Sequence, residues 1–302
     1  MTLVRLGAVG YLNARPLVFG LDRSPRFNLR YDLPSECARL LHAGDIDLGL
    51  VPSIEYLRDD SYRIVPDLAI ASRGPVASVA LFTRRSMPDV RSIVMDTSSR
   101  TSVALVRVLC ARLFKIEPAI EARSPDLDAM LASGDAALII GDKALIWEPE
   151  TVRLSSSPLR GFGAPGKPDT TYDNVTRQYP DMVRRTPDSI VQKIDLGQAW
   201  TSMTGLPFVW AFWAGRAGVL TADDVTALQG ARDAGVSQGD AIAREYFRDA
   251  PQHRELGARY LRDNIKYYLG ADERAGLELF YRYAAEIGVV LRTGDLRFYE
   301  QV

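Results

Sequence analysis

Two cysteines and two histidines are all that the 302 residues contain. Cys37 and Cys110 lie far apart without a partner at metal-ligand spacing. This excludes a zinc knuckle and a disulfide framework, and two buried thiols are expected instead. His42 and His253 are too few for most acid–base, triad or metal chemistry, so the activity is expected to run without imidazole, metal or cofactor. Charge of one sign is also lacking. With 37 Lys+Arg against 38 Asp+Glu, the net charge of -1 gives nothing to draw the chain onto nucleic acid or an anionic membrane. No segment approaches the roughly 20 apolar residues of a membrane span, and the run at residues 3–9 is too short for a signal-peptide core. A cytoplasmic protein is expected. What remains, 47% hydrophobic and 25% charged residues, is globular composition with material for two domains.

The first third alternates strand and helix signals. Residues 4–9 and 28–33 read as strands, and 35–43 as a helix with the apolar stripe Cys37, Leu40 and Leu41 and a stop at Gly44. The buried strand Asp47-Leu48-Gly49-Leu50-Val51 follows. The same unit recurs where residues 126–131 lead through Gly134-Asp135 into a strand over 136–140, which predicts two α/β lobes of similar build. Crossings near Val79 to Phe82 and Val209 to Trp213 would divide the chain into a first lobe (1–82 plus 212–302) and a second (83–211), joined by a two-strand hinge. Helices follow from Thr221 to about Ile287, and an irregular, proline-rich insertion spans about 148–193. A ligand is expected in the cleft between the lobes.

Four polar clusters fall at predicted strand ends, where ligands bind in open α/β sheets. In Gly10-Tyr11-Leu12-Asn13-Ala14-Arg15-Pro16, Asn13 either caps a helix or faces a ligand. Ser53 in Pro52-Ser53-Ile54-Glu55 carries the same two readings. The third cluster, Ser72-Arg73-Gly74-Pro75-Val76-Ala77-Ser78, opens the strand Val79-Ala80-Leu81-Phe82, and a serine at its mouth must find a partner in the backbone or in the cleft. The fourth, Asp96-Thr97-Ser98-Ser99-Arg100-Thr101-Ser102, sets hydroxyls and an arginine at a helix start, a chemistry suited to a carboxylate. It is not a P-loop, and neither a Gly-x-Ser-x-Gly elbow nor a Gly-x-Gly-x-x-Gly fingerprint occurs.

The sequence resembles the chorismate dehydratases of the futalosine route to menaquinone. The motifs that carry the resemblance run in family order over residues 1 to about 215. They are Gly10-Tyr11-Leu12-Asn13-Ala14-Arg15-Pro16-Leu17, Gly44-Asp45-Ile46-Asp47-Leu48-Gly49-Leu50-Val51-Pro52-Ser53, Gly74-Pro75-Val76-Ala77-Ser78-Val79, Ser98-Ser99-Arg100-Thr101-Ser102-Val103, Ile140-Gly141-Asp142-Lys143-Ala144-Leu145 and Thr204-Gly205-Leu206-Pro207-Phe208-Val209. The resemblance implies a bilobed periplasmic-binding-protein-like fold of type II and the dehydration of chorismate, a dicarboxylate, to 3-[(1-carboxyvinyl)oxy]benzoate. It implies functional roles for Asn13 and Ser78, with a substrate carboxylate taking up the ring proton. Ser98, Arg100, Thr101 and Ser102 would then hold a carboxylate, with Ser53 and Ser72 beside them. Two rivals share the fold. The sister enzyme that makes 1,4-dihydroxy-6-naphthoate uses a histidine where Gly141-Asp142-Lys143 stands here, and the other rival is a non-catalytic small-anion-binding protein.

Overall fold

The computed structural model of the protein describes residues 3–147 and 191–300. The first sheet contains β1 (Val4–Val9), β2 (Phe27–Asp32), β3 (Leu48–Pro52), β4 (Tyr62–Ile64), β5 (Ile70–Ser72) and β11 (Phe208–Arg216). The second contains β6 (Val79–Thr83), β7 (Ser92–Asp96), β8 (Ala119–Arg123), β9 (Ala136–Ile140) and β10 (Gln192–Asp195). In chain order the helices are α1 (Pro34–Ala43), α2 (Arg100–Leu109), α3 (Leu127–Ser133), α4 (Asp142–Leu145), α5 (Leu196–Thr204), α6 (Ala222–Ser237), α7 (Gly239–Tyr246), α8 (Arg254–Arg259) and α9 (Ala271–Glu286). No helix among the described residues is long and apolar enough to cross a membrane.

The two sheets repeat one topology. The first runs β2-β1-β3-β11-β4 and the second β8-β7-β9-β6-β10, each with three parallel strands followed by an antiparallel one: β11, from far along the chain, in the first and β6, which directly precedes β7 in sequence, in the second. The helix–Gly–strand repeat of the sequence is the core of each half. Gly44 ends α1 at φ 79, a left-handed conformation that glycine adopts without a Cβ clash, and its N–H bonds Leu40 and Leu41 carbonyls. One residue before β3, Asp47 accepts the Arg5 N–H of β1 at 2.8 Å. One residue before β9, Asp135 does the same for the Arg91 and Ser92 N–H groups at 2.8 and 3.1 Å. Each carboxylate thus joins the beginnings of two adjacent parallel strands.

The unbroken apolar runs of the second sheet follow from burial on both faces. Leu81, Ile93, Met95, Leu138 and Ile140 join the large core shared with the first sheet, while Ala80, Phe82, Val94, Ala137 and Ile139 alternate to a smaller core under α3. Among the described strands only the edge strand β8 is exposed along its whole length, and its Glu121–Arg123 ion pair blunts the free edge.

The chain changes sheets earlier at both crossings than the hydrophobic pattern suggests. Val79 to Phe82 pairs with β9 and β10 in the second sheet, and Val209 to Trp213 lies in the first sheet, paired with β3 and β5. The passages between sheets are therefore residues 73–78 and 196–207, because a period-2 run identifies a strand but not its neighbours. The end of the expected insertion at 148–193 is ordered as β10; residues 148–190 lie outside the described residues.

Candidate active site

The carboxyl ends of β1, β3, β7 and β9 meet where the two lobes touch. Leu12 N–H, after β1, donates to Asp142 Oδ1, after β9, at 3.4 Å, and Tyr246 O–H donates to the other oxygen of Asp142. Gly141 adopts φ 69, and a Cβ there would stand 2.9 Å from the Tyr11 ring, so both its turn and its neighbour require glycine. Behind these contacts, Ile54 N–H after β3 donates to Thr101 Oγ1 at the start of α2 at 3.1 Å.

Asn13 lies inside the 3-10 turn Leu12–Val18 rather than at its N-cap, which is Tyr11, so the capping reading falls. Its carbonyl accepts from the Tyr267 hydroxyl at 3.0 Å, and its side chain lies beside the Tyr260 hydroxyl. Ser78, only 1% exposed, has the partner that its position demands: the Tyr260 O–H donates to Ser78 Oγ at 2.7 Å. Asn13, after β1, and Ser78, just before β6, thus approach one phenol.

The turn that presents Ser78 is strained and held from outside. Ser78 N–H bonds back to the Val76 carbonyl at 2.8 Å around Ala77, whose φ of 63 is left-handed for a residue with a Cβ. Asp195, at the end of β10 and the N-cap of α5, accepts from Val76 and Ala77 N–H at 3.0 and 2.6 Å and from Gln198 N–H at 3.0 Å. Lys193 Nζ donates to the Ala77 carbonyl at 2.8 Å. Burial pushes the Asp195 carboxyl above its ordinary range against the pull of three N–H donors, and burial lowers the Lys193 ammonium. Asp195→Ala, which leaves those donors without an acceptor, is expected to cost about 2 kcal/mol, measurable by urea unfolding.

Of the remaining expected ligands, several carry structural bonds. Ser72 Oγ accepts from Trp210 Nε1 at 3.1 Å, and Ser53 Oγ donates to the Val209 carbonyl at 2.8 Å. Ser102 Oγ donates to Ser99 Oγ at 3.1 Å. Arg100 does not stand free at the start of α2; its Nη1 lies 3.0 Å from both oxygens of buried Glu55 and, with His42 and Arg58, offsets the cost of holding that charge out of water. Ser98 Oγ is buried without a well-formed hydrogen bond and lies close to the Tyr11 hydroxyl. Both cysteines are buried, and burial pushes each thiol up to about 12.

Asp142, a member of the Ile140–Leu145 motif though not among the expected site residues, belongs to the same constellation, together with Tyr260, Tyr246, Asp195 and Lys193, which local sequence does not single out. Burial leads the causes that raise the Asp142 carboxyl, and it drives the Tyr260 and Tyr246 phenols far up, so both tyrosines remain proton donors.

Two lobes of one topology, joined by two passages of chain and meeting at polar strand ends, define a binding-protein-like α/β fold. Solved structures agree. A protein of Archaeoglobus fulgidus superposes with a TM-score of 0.63 at 14% identity, covering 95% of this chain and 98% of that one. The periplasmic aliphatic sulphonate binding protein of Escherichia coli does so with a TM-score of 0.59 at 14% identity, covering 99% and 92%. At such identity the likeness is one of fold: the chain has the periplasmic-binding-protein-like architecture. Residues 4–155 and 184–286 match the family model described as menaquinone biosynthesis. The chain is also 32% identical over 279 residues to the chorismate dehydratase of Thermus thermophilus, covering 91% of this chain and 93% of the relative. It belongs to the menaquinone biosynthesis family.

Proposed function

We propose that the protein is a cytoplasmic hydro-lyase that converts chorismate to 3-[(1-carboxyvinyl)oxy]benzoate and water. The observation that carries this reading is the convergence of Asn13 and Ser78 on Tyr260, in a chain matched along nearly its whole length by a chorismate dehydratase. The step is a 1,2-elimination. A proton leaves the ring carbon that bears the enolpyruvyl ether, its electron pair becomes a ring π bond, and the neighbouring C–O bond breaks. The hydroxide takes up a proton and departs as water, and aromatisation supplies the driving force. Such a reaction asks for orientation and hydrogen bonds to the departing oxygen more than for a strong base.

Ser78 suits the task because its Oγ already accepts from Tyr260, which leaves its own proton for the substrate. Asn13 can donate and accept at once. Asp142 is engaged by Tyr246 and Leu12, so the substrate's own carboxylate takes the ring proton and returns it to the leaving hydroxide. The second carboxylate lies at the start of α2 against Ser98, Thr101 and Ser102, with Ser53 and Ser72 behind them and Arg100 acting through Glu55.

Incubation with chorismate is expected to give an aromatic product lighter by one water, seen by ultraviolet absorbance and mass spectrometry. Tight binding without turnover would instead identify a non-catalytic anion-binding protein.

A further inference from the structure

The C-terminal part of the chain carries none of the motifs that mark the cleft, yet residues 260–267 bond to both of its key residues. The Tyr260 hydroxyl donates to Ser78 Oγ at 2.7 Å and the Tyr267 hydroxyl to the Asn13 carbonyl at 3.0 Å. Between them, Asn264 Nδ2 donates to the Pro75 carbonyl at 2.9 Å, and Lys266 exchanges two main-chain bonds with Ala71, at 2.8 and 2.9 Å. One short segment therefore follows the whole passage from β5 to β6.

The backbone of this segment departs from regular helix where Tyr260 stands. Helix α8 runs directly into a π turn, Tyr260–Asn264, in which the Ile265 N–H reaches back five residues to the Tyr260 carbonyl at 3.3 Å. A π turn inserts one residue into the helical phase, is rarely retained without a reason, and often occurs at functional sites. Here the helix ends with the Tyr260 hydroxyl on Ser78, and the chain leads on to Tyr267 on the Asn13 carbonyl in the turn after β1.

We propose that Tyr260 is a positioning residue for the elimination, fixing the Ser78 hydroxyl so that its proton is directed at the substrate's leaving oxygen. The inference rests on the dehydratase reading above. The phenol occupies one lone pair of Ser78 Oγ, and accepting that bond makes the Ser78 O–H a better donor. Tyr260 does not itself transfer a proton, since burial holds it firmly protonated. A rotor pinned at one end reaches the transition state already oriented, whereas a free hydroxyl must be ordered during the reaction.

The test is a double-mutant cycle with steady-state kinetics on chorismate. Tyr260→Phe keeps the buried ring and removes only the hydroxyl. It is expected to lower kcat by about 10- to 100-fold with KM changed by less than about threefold. In a Ser78→Ala background the same substitution is expected to cost almost nothing further, because there is no serine proton left to aim. Tyr299→Phe removes a comparable buried hydroxyl, bonded to the Arg216 carbonyl at 2.6 Å and away from the cleft. It supplies the effect of structural loss alone: a lower Tm with kcat unchanged. Wild-type kcat in Tyr260→Phe, or losses that multiply in the double variant, would overturn the proposal while leaving the dehydratase reading intact. A wild-type protein inert toward chorismate would remove both.

Discussion

Ser78→Ala is expected to lower kcat for chorismate by about 10²–10³-fold, and Asn13→Ala by a similar factor, with KM moving far less. The magnitude follows from removing one preorganised donor aimed at charge that develops only as the C–O bond breaks. A ground-state contact would raise KM instead. The two variants differ in their effect on folding. Ser78→Ala leaves the Tyr260 hydroxyl, on a residue only 2% exposed, without its acceptor, which costs about 1–3 kcal/mol. Asn13 is half-buried and anchored through its main-chain carbonyl, which survives the substitution, so Asn13→Ala is expected to melt close to wild type. Comparing kcat well below both melting temperatures separates chemistry from stability. Wild-type turnover in both variants would remove these residues from the mechanism.

The parts of this molecule legible in the sequence are those that depend on neighbours in the chain. The α1 stop at Gly44, the repeated joint at Gly134-Asp135 and the buried strands are set by local backbone conformation and period-2 patterning, and the structure contains all of them. Asn13 and Ser78 are legible only as members of motifs. What makes them a pair lies far away, since Tyr260 is 182 residues from Ser78 and sits in a helical stretch with no signature of its own. The clamp on the Ser78 turn is equally remote: Asp195 is 119 residues from Val76. Sheet membership fails for the same reason, because the alternation in Val79-Ala80-Leu81-Phe82 fits any buried strand while its place in the second sheet is decided by β9 and β10.

Arg100 shows how a correct chemical instinct can miss its target. An arginine among hydroxyls at a helix start suits a carboxylate, and Arg100 does bind one, but that carboxylate belongs to Glu55, 45 residues upstream. Glu55 and Arg100 lie on elements that follow β3 and β7, so the pair ties an element after the first sheet to one after the second. On the proposed reading, the substrate's second carboxylate is then expected to rely on hydroxyls and helix N–H groups, with Arg100 contributing only at longer range.

Glu55→Gln is expected to be strongly destabilising for a conservative substitution. Glu55 is 2% exposed, and its Oε2 lies 2.9 Å from His42 Nε2 and 3.2 Å from Arg58 Nε, while Arg100 Nη1 stands 3.0 Å from both oxygens. Tyr62 O–H meets the other ring nitrogen of His42 at 2.7 Å, so an imidazole that donates to Glu55 can accept from the phenol. Burial works to raise the Glu55 pKa, but hydrogen bonds from His42 and Arg100, with the charges of Arg100 and Arg58, outweigh it and hold the carboxyl below its ordinary range. Neutralising it leaves two guanidiniums facing each other in a partly desolvated site. Removing one partner of a fully buried pair costs about 3–5 kcal/mol, and because both arginines reach solvent the expected loss at neutral pH is nearer 2–3 kcal/mol. The pH dependence has a definite sign. A carboxyl with a depressed folded pKa contributes its stability above its unfolded value, near pH 4.3, and loses it as the pH falls through the folded value. Wild type and Glu55→Gln should therefore differ most at neutral pH and converge below about pH 4, measured as Tm against pH. Curves that stay parallel into acid would show that Glu55 acts through packing and not through its charge.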